Sequence, residues 1–141
     1  MWRVGLTLAV VGGATMAGAW AIVQWVMDPG PPVVVQSAEV RTPQVLRGQR
    51  VEIMFTVDRL RVCPSLIVGF MIEPDNHDHA ALRLDPVWGG YSDVGRGIKT
   101  LVTRPTPNQP GRYCYRSNAT HWCGAHTYIT QQPDACFEVV G

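Results

Sequence analysis

The alternation in Val51-Glu52-Ile53-Met54-Phe55-Thr56-Val57-Asp58 restricts the fold more than any other stretch. Val51, Ile53, Phe55 and Val57 share one face of an extended chain, and Glu52, Thr56 and Asp58 share the other. A helix would scatter these residues around its axis, whereas a half-buried strand places the apolar ones together. The phase then inverts, because Leu60 and Val62 are apolar while Arg59 and Arg61 are not. A bulge near Asp58 accounts for that inversion. Further strands are expected at 33–40, 65–72, 82–85, 97–103, 111–116, 125–130 and 135–139. Between them lie polar or turn-rich stretches, among them Glu73 to His79 (EPDNHDH), Arg104 to Pro110 (RPTPNQP) and a loop from Ser117 to Gly124. No amphipathic helix is evident after Pro32. The expected architecture is all-β, an antiparallel sandwich.

A second feature precedes this domain. Val4 to Met27 carries no charged residue, and Asp28-Pro29-Gly30-Pro31-Pro32 stops it. As a helix it would be roughly 36 Å long, enough to cross a bilayer. Residues 1–27 are therefore expected to form an N-terminal signal anchor, a transmembrane helix that contacts the lipid bilayer through residues 4–27. A proline-rich spacer (28–32) and the β-domain (33–141) follow. Arg3 before the span and Asp28 after it point to a cytoplasmic amino terminus, with the domain periplasmic or extracellular at the inner or plasma membrane. The alternative is cleavage near Ala19 or Ala21, which would release a secreted domain.

All four cysteines, Cys63, Cys114, Cys123 and Cys136, lie beyond the span, which suits disulfides in an oxidising compartment. A net charge of +1 offers no basic stripe, so no nucleic-acid partner is expected. No cofactor motif is present.

Pro110-Gly111-Arg112-Tyr113-Cys114-Tyr115 resembles the tyrosine corner that opens the sixth strand of immunoglobulin-like domains, with Tyr113 in the corner position. Cys136-Phe137-Glu138-Val139-Val140 is similar to their closing strand. The chain departs from the antibody pattern: Tyr115 stands where a cysteine is expected, and no tryptophan follows Cys63 on the third strand. The layout is also similar to small single-span phage and bacterial proteins of unknown function. The resemblance implies an immunoglobulin-like sandwich in which the second and sixth strands run the same way. Cys63 and Cys123 then share a pole, and Cys114 and Cys136 share outward parity on the last hairpin. Cys63–Cys123 with Cys114–Cys136 is thus preferred over the other two connectivities.

Three kinds of site were weighed. His77 and His79, with His121 or His126, offer imidazoles of the kind that bind zinc or copper. Within an immunoglobulin-like sandwich their loops lie at opposite poles, so solvated histidines are preferred and a metal-binding module is the alternative. Cys123 beside His121 lacks an orienting carboxylate, and no hydrolase motif is present, so no catalytic residue is assigned and a non-enzymatic chain is expected. The loop containing Asn118, His121 and Trp122 is the expected partner-binding surface, with Trp88 and Tyr91 as a second aromatic loop. The expected function is a membrane-anchored exported module for protein or envelope interaction. A phage lysis, exclusion or assembly factor acting at the inner membrane is a further alternative.

Overall fold

The computed structural model of the chain describes residues 15–23, 27–89 and 93–141. The chain divides into two compact units, Met1–Gly30 and Pro31–Gly141. In the first unit, residues 15–23 are helical. Among the described residues no helix is long and apolar enough to cross a membrane. The expected transmembrane anchor, its bilayer contact and the membrane location are corrected accordingly. Residues 4–14 and 24–26 of that span lie outside the described residues.

Among the described residues the second unit holds ten strands: β1 (Val33–Val40), β2 (Gln44–Leu46), β3 (Val51–Arg59), β4 (Ser65–Glu73), β5 (His79–Arg83), β6 (Val87–Gly89), β7 (Gly95–Arg104), β8 (Gly111–Cys123), β9 (His126–Gln131) and β10 (Ala135–Val140). They form two sheets. The smaller has the order β1-β3-β7, all antiparallel. The ladder between β3 and β7 slips between Val57 and Arg59, at the phase change read in the sequence. Asp58 occupies the slip, and its carboxylate accepts hydrogen bonds from the Gly97 amide (2.8 Å) and the Gln36 side chain (2.8 Å). These bonds, the Gly97 amide foremost, hold the Asp58 carboxyl below its ordinary value.

The larger sheet has the order β2-β10-β8-β4-β5, with β6 added to β4 and β9 to β8. Its breadth follows from two long strands. β8 is thirteen residues, so its first half pairs with β10 and its second half with β9. β4 likewise pairs with β5 through Phe70–Glu73 and with β6 through Ser65–Ile67. The segment expected as a loop from Ser117 to Gly124 is therefore mostly strand. Gly124 and Ala125 make the turn into β9, where Gly124 takes a φ of 66°. A two-residue hairpin with glycine first suits a type II′ turn. The short β2, parallel to β10, and β6 were not anticipated.

The core lies between the sheets. Val51, Ile53, Phe55 and Val57 of β3 face Met71, Tyr113, Tyr115, Phe137 and Val139. Tyr113 donates a hydrogen bond from its hydroxyl to the Gln109 carbonyl (2.8 Å), pinning the entry to β8. Cys63–Cys123 ties the β3–β4 connection to the end of β8, and Cys114–Cys136 crosses directly opposed positions of β8 and β10.

Gly69 on β4 is required by packing: a Cβ there would stand 2.8 Å from Cε2 of the buried Tyr115. Gly69→Ala is expected to lower stability by about 1–3 kcal/mol through overpacking. A urea midpoint equal to that of the parent would count against this close approach.

Candidate functional site

Strand alternation divides the expected recognition segment between two faces of the larger sheet. On β8, Ser117, Ala119 and His121 point inward and are buried, while Asn118 and Trp122 are exposed. His121 therefore leaves the partner-binding set proposed from sequence. Its Nδ1 is 2.6 Å from Ser65 Oγ and its Nε2 is 2.9 Å from Thr130 Oγ1. The Ser65 hydroxyl donates to the Cys63 carbonyl (3.0 Å), so the ring donates from Nδ1 to Ser65 and accepts at Nε2 from Thr130. In this order His121 takes no proton from Ser65.

Burial holds the His121 imidazole below its ordinary value of 6.5. On acidification the unfolded chain takes up a proton near pH 6.5, before the folded chain does. The contribution of this residue is intact above that pH and falls away as pH drops through the lower folded value. His121→Gln is expected to flatten the loss of stability on the acid side of neutrality, measured by urea midpoints across a pH series. An unchanged slope would place the acid sensitivity elsewhere.

Trp88 and Trp122, assigned from sequence to separate loops, come together. Their ring centroids are 5.7 Å apart at an interplanar angle of 33°, and the residues remain 66% and 39% exposed. The reason lies in the ladder: Leu66 pairs with Trp88 on one side and Thr120 on the other, and Thr120 pairs with Ile129. These residues share the outer face, and Ile129 is 76% exposed. Asn118 stands one row further along, between Val68 and Gln131. The next row holds Arg83, Phe70 and Arg116, with Arg83 5.9 Å from the Phe70 ring. Arg116 forms a two-pronged pair with Asp134 (3.0 and 2.7 Å) and reaches Asp78 (3.3 Å). Tyr91 lies outside the described residues.

The remaining histidines do not converge on His121. Asn76 to His79 closes a tight turn, with the His79 amide bonded to the Asn76 carbonyl and with φ of 52° at His77 and 57° at Asp78. Positive φ at both central residues is the signature of a type I′ turn, here inside the five-residue loop between β4 and β5. The turn explains the HDH triplet, and His79 sits 3.4 Å from Glu73 at this pole. β4 separates it from the pole of His121, because Ile72 pairs with Cys114 while Ser65 pairs with His121. His126 stacks near Tyr128, with ring centroids 6.1 Å apart. Among the described residues no group of three or more potential ligands is placed to hold a metal.

No protein-family model and no curated protein sequence matches this chain. Among solved structures it is similar to a Pseudomonas fluorescens alkylpurine DNA glycosylase, AlkC, bound to DNA containing an abasic site analogue. The match has a TM-score of 0.44 and 16% identity, covering 79% of this chain and 31% of that one. That neighbour is an enzyme on DNA, and the expectation of a non-enzymatic chain with no nucleic-acid partner is not carried forward. A TM-score of this size carries no argument for catalysis or DNA binding here.

Proposed function

We propose that the second unit is a recognition module of an oxidising, exported compartment, an immunoglobulin-like sandwich that binds a protein partner across the outer face of its larger sheet. The observation that carries this reading is the stacked, solvent-facing pair Trp88 and Trp122, continued by Leu66 and Ile129. Aromatic residues and arginine are enriched at interface centres, and Trp88, Trp122, Phe70 and Arg83 supply both on one face. The two disulfides support the oxidising compartment. The immunoglobulin-like topology is supported by the Tyr113–Gln109 corner and by a short strand parallel to the last one.

The test is capture from the native compartment by the intact chain and by Trp88→Ala/Trp122→Ala, followed by measurement of direct binding to each purified candidate. The double variant is expected to lose at least tenfold in affinity for the true partner while keeping its unfolding midpoint, since hot-spot tryptophans contribute about 2 kcal/mol or more. Equal binding by a folded double variant would overturn the reading.

A further inference from the structure

We propose that the hollow between the two sheets is a binding site for a medium-chain acyl carboxylate, whose charge is matched by arginine side chains. The hollow has a volume of about 230 Å³ and is lined by residues of both sheets. Its origin is a mismatch of side-chain size. Phe55, Ile53 and Val51 of β3 pair with Thr100, Val102 and Arg104 of β7, so beside the buried face of β3 this edge strand offers one small exposed residue and one charged, half-buried one. Ala119 and Gly89 of the larger sheet line the same hollow and are also small. The inward faces therefore meet without interdigitating fully, unlike the close packing usual in protein interiors.

The walls are chiefly apolar, with Phe55, Val57, Ile67, Val102 and Tyr115 among them, yet the lining also includes Arg59, Arg61 and Arg104 and no aspartate or glutamate. Arg104 lies 5.7 Å from the Tyr115 ring centre and Arg61 lies 5.6 Å from that of Tyr128. Arg104 Nη1 also donates to the Thr103 carbonyl (3.4 Å), and a guanidinium presents further N–H groups in a planar fork, the geometry that receives a carboxylate through two bonds. The neutral floor does not compete for that role, because Ser65, His121 and Thr130 satisfy one another.

These features define the ligand: an apolar body with one anionic end. A medium-chain fatty acid has that form, and octanoate serves as its representative. Binding there is independent of the outer tryptophan face, so either reading can fail alone.

Octanoate is the probe, titrated into the full chain in the millimolar range and followed by backbone amide NMR, with 1-octanol as the neutral counterpart. Saturable shifts are expected at Thr100, Ala119 and Thr130, with octanol at least tenfold weaker, since charge-assisted bonds are worth a factor of this size. Arg59→Gln/Arg104→Gln is expected to lose octanoate by at least tenfold while its octanol affinity is unchanged. Ala119→Leu, which adds bulk to the wall, is expected to weaken both. Absence of saturable shifts at these residues, or equal affinity for octanoate and octanol in the parent chain, would overturn the proposal. The comparison of the two ligands uses the parent chain alone and so holds even if a variant fails to fold.

Discussion

Replacing Cys63 and Cys123 together with alanine is expected to lower the unfolding free energy by about 4 kcal/mol, more than opening the other disulfide. The two residues are 60 apart in sequence, and cross-linking a loop of that length removes chain entropy of about this size from the unfolded state. Cys114 and Cys136 are only 22 apart, and the same relation gives about 3 kcal/mol. The shorter bridge also joins positions that β8 and β10 already hold opposite each other. The longer bridge fastens the β3–β4 connection to the far end of β8, where the Trp122 amide donates to the Pro64 carbonyl (2.9 Å). Urea unfolding of the two double-alanine variants, each with the other bridge intact, measures the difference. A larger loss from Cys114→Ala/Cys136→Ala would show that entropy of the unfolded chain does not set the order.

Tyr115→Ala is expected to cost about 3–5 kcal/mol, the range for truncating a large buried aromatic. Tyr115 is 2% exposed and sits where the filled core meets the hollow. Its ring meets Phe55 edge-on at 6.1 Å, lies against the backbone of Gly69 and carries Arg104 over its face. Removing the ring would merge its volume with the adjoining hollow, so little of the void would be closed by relaxation, which places the cost toward the upper end. A loss below about 1 kcal/mol would mean that the sheets close over the gap.

The alternation of β3 was legible because a sheet with one buried face imposes a period of two on the sequence, and the bulge at Asp58 was legible as a break in that period. The same rule applies to Ser117-Asn118-Ala119-Thr120-His121-Trp122, but there it was obscured. Serine, alanine and histidine are poor markers of an inward face, and asparagine and threonine suggest a loop. Reading Ala119 and His121 as inward partners of Trp122 would have extended β8 and divided the recognition residues correctly. The short β2 and β6 leave almost no periodicity in three residues, and their existence depends on the neighbours they pair with.

The hydrophobic stretch before Asp28 illustrates a different limit. Composition measures the apolar content of a segment, whereas a membrane span also needs continuous helix, which composition alone does not record. Disulfide pairing was readable to the extent that strand parity and direction could be inferred. Cys114 and Cys136 follow from the register of one hairpin, whereas Cys63 and Cys123 require the relation between β4 and β8.

By itself the sequence determined the β class, the main strands and the apolar face of β3, because these depend on neighbours within a few residues. Only the tertiary structure decided that Trp88 and Trp122 stack, that His121 is buried and that Arg59 and Arg104 border one hollow. Each of these depends on strand register and on how one sheet lies over the other, and residues far apart in the chain reveal such relations only once they are paired in space.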